Sequence, residues 1–259
     1  MHGLGLFETI LAVDGIPVFA DRHVARLRGS CERLGWLFEF PDFVKIMTEL
    51  IRMNSLTDGR SRIRLAISAG SGLIHDLALG SDHVAWMTAT PIAAAPSATT
   101  ANLSPWLRNE RSALAGLKCA SYAENLLALE QASRLGFEET LFANTAGHLC
   151  EAATSNVFVV KNGSLHTPSL GSGCLPGITR SVVIELAATL GISCEERDLP
   201  VDELHAADEL FLTSSIRGVM AVSRFEDRVL PPGPVTRALR HAWDTATAGK
   251  NHPVSNIFH

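Results

Sequence analysis

Strand-like and helix-like segments follow one another in this sequence without the regular alternation of a parallel β/α fold. Residues 6–20 alternate apolar and polar side chains around the turn dipeptide Asp14-Gly15, which predicts a β-hairpin. Residues 21–37 then carry apolar side chains at helical spacing, and Asp21 is in position to cap that helix. A hairpin followed at once by a helix favours a mixed domain of the α/β or α+β type.

The rest of the chain continues this mixture. Residues 93–116 are rich in Ala, Pro, Ser and Thr and have no clear period, so we interpret them as the region that connects two domains. We therefore predict an N-terminal domain over 1–107, a linker over 108–116 and a larger C-terminal domain over 117–259. Further helices are predicted over 41–54, 121–136 and 201–207 and from 177, and further strands over 60–70, 83–92, 138–168 and 209–215, with a last hairpin around 226–228.

Charge and composition exclude several classes of protein. A chain of 259 residues with a formal net charge of −5 and no run of Lys or Arg is not expected to bind nucleic acid, so a small-molecule partner is predicted. Its apolar stretches are interrupted by charge and are shorter than the roughly 20 residues that span a membrane. A strand is predicted to begin almost at residue 4, and the first residues have neither the charged nor the apolar region of a secretory leader.

Five cysteines are scattered along the chain without a CxxC motif or a neighbouring group of histidines. An odd number at these spacings predicts reduced thiols, a cytoplasmic location and no metal site. His23 and His75 have no partners in a metal-binding or catalytic-triad pattern, so we interpret them as core or surface residues.

Lys118 is the residue that points most directly to chemistry. The chain has only four lysines, yet one stands among the small and apolar residues of AGLKCASYAENLLAL. An amine in an apolar environment has its pKa lowered by desolvation, and the unprotonated amine is a nucleophile. The alternative is a structural lysine that extends its amine into water at a domain boundary. Local context alone weighs these two interpretations equally.

Six motifs in a fixed order resemble those of the fold-type IV pyridoxal-phosphate enzymes, the class IV aminotransferase family. That family includes branched-chain transaminases, D-amino-acid transaminases and aminodeoxychorismate lyases. The matching segments are GLFET, DRHVARL, LKCASYAENLLAL, GHLCEAATSNVFVV, LPGITR and ADELFLTSSIRGV. The resemblance runs through nearly the whole chain and implies an α/β (α+β) enzyme of two domains, with the cofactor bound by the C-terminal one.

The resemblance implies roles for residues around the cofactor ring. Lys118 matches the lysine that forms a Schiff base with pyridoxal 5′-phosphate. Glu151, which alone would be read as a surface acid, matches the acid that pairs with the pyridinium nitrogen and so keeps the ring able to accept electrons. Asn156 is expected to support that loop by hydrogen bonds. Tyr122, four residues after Lys118, is expected on the same helix face, within reach of the cofactor's phenolic oxygen.

The resemblance also implies a phosphate site built from an arginine, a helix N-terminus and a second loop. Free N–H groups and the helix dipole favour an anion at such a helix start. Without the other motifs, GITR would be interpreted as a plain helix start capped by its threonine. The matching residues are Arg26, Gly177, Ile178, Thr179, Thr213 and Ser214.

The substrate-binding motifs depart from those of the named branches. Phe7 stands where D-amino-acid transaminases have a tyrosine, and Ala69 replaces an arginine of the lyase loop. Arg64 matches an arginine near the substrate carboxylate in branched-chain transaminases, and Arg217 is a second candidate anchor. Ala221 stands where a proline is usual. We therefore predict that Phe7, Arg64 and Arg217 bind the substrate.

The resemblance predicts a class IV aminotransferase that moves an amino group between a small amino acid or amine and a 2-oxo acid. Lys118 would be both the attachment point of the cofactor and the general acid and base. The alternative is a 4-amino-4-deoxychorismate lyase that releases pyruvate and 4-aminobenzoate, because KCASYAENLLAL and SSIRGV look most like that branch. A remote alternative is a non-catalytic binding domain of the same fold. The family works as homodimers, so a homodimer is expected.

Overall fold

The computed structural model describes residues 3–70 and 82–248, which form two compact units. Unit 1 contains the described residues up to Ala94, the segment Leu117–Ser121 and the residues from Thr247. Unit 2 contains Ala95–Gly116 and Tyr122–Ala246. Both units combine strands and helices, which confirms the predicted α/β (α+β) class.

Unit 1 is a four-stranded antiparallel sheet with two helices. Its sheet has the order β2-β1-β3-β4, and the predicted hairpin around Asp14-Gly15 joins β1 to β2. The elements are β1 (Gly5–Val13), β2 (Ile16–Pro17), α1 (Ala20–Arg33), α2 (Phe43–Met53), β3 (Arg60–Ser68) and β4 (Val84–Pro91).

One face of this sheet forms the core of unit 1. Alternate residues of β1 and β3, including Ile10, Ile63 and Leu65, are buried in one cluster with apolar residues of α1 and α2. The prediction that Asp21 caps α1 was wrong, because the N-cap is Phe19 in the left-handed conformation and no side chain caps the helix. Asp21 lies in the first turn instead, where its charge favours the helix dipole.

The segment Leu117–Ser121 pairs with the start of β1. The Phe7 N–H donates to the Lys118 carbonyl (2.9 Å), the Ala120 N–H donates to the Gly5 carbonyl (2.7 Å), and Leu6 faces Cys119 in an antiparallel bridge. Lys118 is therefore held in an extended segment of unit 1.

Unit 2 is built on a nine-stranded mixed sheet. The strand order is β10-β9-β8-β11-β12-β5-β6-β7, and β13 pairs with β12. The pairs β9–β10, β5–β12 and β5–β6 are parallel and the others are antiparallel. The strands are β5 (Ala98–Leu103), β6 (Glu139–Ala143), β7 (Leu149–Ala152), β8 (Asn156–Lys161), β9 (Ser164–Pro168), β10 (Cys194–Arg197), β11 (Glu209–Ser214), β12 (Gly218–Phe225) and β13 (Arg228–Val229). The helices are α3 (Ala123–Arg134), α4 (Ile178–Thr189), α5 (Asp202–Ala206) and α6 (Pro234–Thr247).

The interpretation of residues 93–116 as a connection between domains missed a strand in its central part. Strand β5 lies inside this region and pairs with both β12 and β6. The division into units also differs from the predicted domains 1–107 and 117–259. Residues 108–116, predicted as the linker, belong to unit 2, and the next five residues belong to unit 1.

Among the described residues, no helix is both long enough and apolar enough to cross a membrane. The five cysteines are free thiols, and three of them, Cys31, Cys150 and Cys174, are buried. His75 and most of the loop that begins at Ala69 lie outside the described residues.

Candidate active site

The side chain of Lys118 lies on the face of the unit 1 sheet that is opposite to the core. Leu117 and Cys119 pack against the apolar core, so the alternation of an extended segment directs the side chain between them to the other face. There the Lys118 Nζ lies 4.5 Å from the centroid of the Phe7 ring. Lys118 is half-buried as a residue and its amine lies beside an aromatic ring, an environment that favours the unprotonated, nucleophilic form of a lysine.

Arg64 lies beside the same ring. Its guanidinium carbon is 4.0 Å from the centroid of Phe7, which is 4% exposed. The two distances together place the Arg64 guanidinium carbon no more than about 8.5 Å from the Lys118 Nζ. The structure therefore brings together three residues predicted from separate motifs, Phe7, Arg64 and Lys118.

Arg26 is held by a buried acid that the sequence analysis did not select. Its Nε donates to Glu8 Oε1 (2.8 Å) and its Nη2 donates to Glu8 Oε2 (2.5 Å). Burial would raise the pKa of Glu8, but the charge of Arg26, with hydrogen bonds from His23 and Arg26, lowers it to about 2. Because Glu8 is ionised and can only accept, the His23 Nδ1, 2.7 Å away, must carry the proton.

Glu151 lies on β7 with its carboxylate partly buried. Its Oε2 accepts a hydrogen bond from the Leu175 N–H (2.9 Å), and its Oε1 is 4.0 Å from Arg108 Nε. A carboxylate fixed by a backbone donor and facing a positive charge is stabilised in its ionised form.

Asn156 binds the same peptide segment as Glu151 does. Its Nδ2 donates to the Leu175 carbonyl (2.8 Å), so the peptide groups of Leu175 are bound by Glu151 and Asn156. Gly177 caps the N-terminus of α4, and a Cβ at this position would overlap with Asn156 Oδ1. With any other residue at this position, the side chain of Asn156 would have to shift.

Two buried threonines at the predicted phosphate site have hydroxyls without hydrogen-bond partners in the described ranges 3–70 and 82–248. Thr179, in the first turn of α4, and Thr213, on β11, are each 2% exposed. Neither Oγ1 has a hydrogen-bond partner among the residues that the structure describes. Thr213 pairs with Asn156 in the sheet, and Ile178 opens α4. These hydroxyls and the helix N-terminus fit the oxygens of a bound phosphate.

Ser214 and Arg217 belong to the turn between β11 and β12. The Ser214 Oγ accepts a hydrogen bond from the Arg217 N–H (3.4 Å). The Arg217 guanidinium contacts Glu139 Oε2 (3.0 Å), and also Thr154 and Ser155. The charge of Arg217 is thus paired with a fully buried acid.

The expectation that Lys118 and Tyr122 share a helix face was wrong. Lys118 precedes α3 in an extended segment, and Tyr122 is the N-cap of that helix. The Tyr122 Oη donates to the Ala153 carbonyl (3.0 Å), which also accepts from Asn125 Nδ2 (2.6 Å).

Sequence reasoning missed the residues that hold the predicted ones in place. Glu8 binds Arg26, Glu139 binds Arg217, and Arg108 faces Glu151. A signal existed for Glu8, since it is the only charged residue in the mainly apolar segment GLFETILAV. No comparable signal marks Glu139 or Arg108, whose partners lie at least 43 positions away in the sequence.

The chain matches the Amino-transferase class IV family over residues 5–225. A branched-chain-amino-acid aminotransferase of Salmonella typhimurium (strain LT2) is 29% identical, over 93% of this chain and 84% of its own length. An aminodeoxychorismate lyase of Bacillus subtilis (strain 168) is 26% identical, over 88% of this chain and 79% of its own. The crystal structure of an aminotransferase from Brucella abortus bound to the cofactor PLP has a TM-score of 0.85 and 29% identity to this chain, covering 95% of it and 90% of the other chain.

Proposed function

Because this chain belongs to the class IV aminotransferase family, we propose that it is a pyridoxal-phosphate-dependent aminotransferase acting between a small amino acid or amine and a 2-oxo acid. The Salmonella relative is named as such a transferase, and the Brucella structure holds pyridoxal phosphate. The enzyme class and cofactor predicted from the motifs are therefore confirmed at the level of the family.

We assign the cofactor contacts residue by residue. Lys118 would attach the cofactor covalently through its amine, and Glu151 would accept a hydrogen bond from the ring nitrogen. Asn156 would keep Glu151 in place through the Leu175 peptide, and Tyr122 would approach the phenolic oxygen. The phosphate would be bound by Arg26, Gly177, Ile178, Thr179, Thr213 and Ser214.

When bound, pyridoxal phosphate supplies an electron sink for the electron pair released at the substrate Cα. Lys118 would move the proton between the substrate Cα and the C4′ carbon of the cofactor, since its amine is freed when the substrate amine takes its place. The Phe7 ring would exclude water from one side of that amine. Arg64, beside the same ring, would bind a substrate carboxylate, and Arg217 would be a second anchor.

The observation that carries this proposal is that the buried hydroxyls of Thr179 and Thr213 have no hydrogen-bond partner among the described residues. A buried polar group without a hydrogen bond destabilises a fold, so two such hydroxyls at a site predicted to bind an anion support a ligand there. An anion with several acceptor oxygens would accept from both hydroxyls.

Amino transfer is tested by mixing the protein, loaded with pyridoxal phosphate, with single amino acids such as D-alanine or L-glutamate. Without an acceptor, a substrate should release its 2-oxo acid in an amount equal to the enzyme, because each site can accept one amino group. Adding a second 2-oxo acid should start continuous turnover, measured by chromatography of the new amino acid. Lys118→Ala, which lacks the reacting amine, is the control and should release none.

A second candidate function is aminodeoxychorismate lyase activity. The Bacillus relative carries that name, and the segments around Lys118 and Arg217 resemble that branch. A lyase needs no acceptor, so it would release pyruvate from aminodeoxychorismate continuously. Catalytic pyruvate release, together with no 2-oxo acid from any amino acid, would replace the transferase proposal with the lyase.

We also propose a homodimer in a reducing compartment such as the cytoplasm. The free state of the five cysteines supports the compartment. Exposed apolar side chains support a subunit interface, among them Trp86, Trp106, Leu107, Leu126 and Leu127. Light scattering should give twice the chain mass of 27.8 kDa, and a single-chain mass would contradict the dimer.

A further inference from the structure

Arg108 is a buried arginine of unit 2 whose place is set by its backbone. Its N–H donates to the Ala143 carbonyl at the end of β6 (2.8 Å), and it forms a parallel bridge with Asn144. Its side chain is only 16% exposed. These backbone contacts therefore fix the point from which the Arg108 side chain extends.

Three contacts orient that guanidinium. Its carbon lies 4.3 Å from the centroid of the Phe142 ring, and its Nη1 donates to Glu124 Oε2 (3.2 Å) and Asn125 Oδ1 (3.4 Å). A guanidinium that lies over an aromatic ring and donates to two acceptors is held in one orientation, which a lysine cannot reproduce. These contacts leave the Nε edge turned towards Glu151.

The Nε edge of Arg108 faces the carboxylate of Glu151. Arg108 Nε is buried and has no hydrogen-bond partner within the described part of the chain. It lies 4.0 Å from Glu151 Oε1, which is too long for a hydrogen bond but close for two opposite charges. Glu151 is 15% exposed, so this charge contact is only weakly screened by water.

We propose that Arg108 is a positioning residue that keeps Glu151 ionised and directed at the cofactor's ring nitrogen. The inference rests on the proposed function, in which Glu151 binds that nitrogen. A proton shared between a carboxylate and a ring nitrogen lies on the partner with the higher proton affinity. The charge of Arg108 lowers the proton affinity of Glu151, so the proton stays on the ring.

The test compares two ligands that differ only at the ring nitrogen. The affinity of the apo protein is measured for pyridoxal 5′-phosphate and for its 1-deaza analogue, which has a C–H group in place of that nitrogen. The ratio of the two affinities reports the Glu151 interaction and needs no turnover. The variants are two neutral replacements of different shape, Arg108→Met and Arg108→Gln, the charge-retaining Arg108→Lys, and Glu151→Gln.

Arg111→Met is the matched control. Arg111 lies three residues away, is 90% exposed and is 3.9 Å from Glu110. The Arg111→Met substitution removes a positive charge from the same segment and leaves the contact between Arg108 and Glu151 in place. Its affinity ratio should equal that of the wild type.

We expect the neutral variants of Arg108 to reduce the ratio on the order of tenfold, and more at pH 6 than at pH 8, because an adjacent charge of this kind changes proton affinity by about one to three pKa units. Arg108→Lys should retain part of the preference. A wild-type ratio in the neutral variants, with a reduced ratio in Glu151→Gln, would overturn the role of Arg108 alone. An unchanged ratio in Glu151→Gln would overturn the assignment of Glu151, and the role of Arg108 with it.

Discussion

Glu8 is a buried acid that fixes the direction of Arg26, a residue proposed to bind the cofactor phosphate. It lies on β1 at 1% exposure, where burial alone would raise its pKa. The charge of Arg26 and the hydrogen bonds from His23 and Arg26 outweigh burial and lower the pKa to about 2. The guanidinium of Arg26 is consequently fixed by two hydrogen bonds and keeps a defined direction.

The pH dependence of stability follows from the contacts among Glu8, His23 and Arg26. A carboxyl whose pKa is lower in the folded state stabilises the fold above its unfolded pKa of 4.5, and this contribution is lost as the pH falls towards about 2. The shift corresponds to about 3 kcal/mol as an upper limit. Burial also lowers the pKa of His23 from 6.5, outweighing the opposite effect of Glu8, so its contribution is lost below pH 6.5 as well.

We therefore expect the free energy of unfolding of the wild type to decrease from pH 6.5 to pH 2, measured by denaturant titration. Glu8→Gln should be less stable at neutral pH, because Arg26 loses its partner, and should have a flatter profile. Glu49→Gln removes an exposed pair with Arg52 and is the control. Parallel profiles for Glu8→Gln and the wild type would show that Glu8 is not ionised in the fold.

Lys118 is predicted to be the point of covalent cofactor attachment. Its amine lies beside Phe7 in unit 1, whereas Lys45 and Lys161 belong to other surroundings, the latter contacting Asp208. After incubation with pyridoxal phosphate and borohydride reduction, peptide mapping should place the label on Lys118. Lys118→Ala should take up no label, and Lys45→Ala should take up as much as the wild type. A label on another lysine would contradict the mechanism.

At the scale of elements, the fold was largely predictable where the pattern was local. The hairpin of β1 and β2, helices α1, α2 and α4, and the fold-type IV likeness are confirmed. Strand β5 was missed because its ATTANL sequence lacks apolar alternation, and its place depends on distant partners, β12 and β6. Helix α6 was missed although Val235, Leu239 and Trp243 recur at helical spacing.

The stability of α4 should depend on the small size of Gly177 at its N-cap. Gly177→Ala would place a Cβ against Asn156 Oδ1, so Asn156 must move and its hydrogen bond to Leu175 is lost. We expect a loss of about 1–3 kcal/mol in the free energy of unfolding and weaker cofactor affinity. Gly29→Ala is the matched control, since nothing lies within 4 Å of its added Cβ in α1.

Gly29→Ala should be neutral or stabilise the protein by up to about 1 kcal/mol, because alanine favours the helix, and should leave cofactor affinity unchanged. The two substitutions are chemically identical, so their difference reports the contact with Asn156. Equal effects of both on stability and cofactor affinity would mean that Gly177 is not closely packed.

At the scale of the whole molecule, the path of the chain explains why the site was only partly predictable. Residues 117–121 belong to unit 1 although the sequence on both sides belongs to unit 2. This placement depends on backbone pairing with β1, more than 100 positions earlier, which no local pattern records. The motifs singled out Lys118 and Glu151 as candidates, whereas the contacts that hold these two residues could be seen only in the fold.

The stability of the whole protein, with and without cofactor, should depend on the hydroxyl of Thr213. Thr213 is a buried strand residue whose hydroxyl has no partner among residues 3–70 and 82–248. An unsatisfied buried hydroxyl costs about 1–3 kcal/mol, and valine has nearly the same shape and favours strands. Thr213→Val should therefore stabilise the apo protein by about 1 kcal/mol.

The same variant should respond less to the cofactor. A ligand raises the melting temperature in proportion to the free energy with which it binds the folded state, and Thr213→Val cannot donate to the phosphate. Thr167→Val is the control, since Thr167 is also a buried strand residue but its Oγ1 donates to the Val157 carbonyl (2.9 Å). It should destabilise the apo protein while keeping the full increase in melting temperature with pyridoxal phosphate, measured by calorimetry. If Thr213→Val destabilises the apo protein as Thr167→Val does, its hydroxyl has a partner within the fold, and Thr213 is not a phosphate ligand.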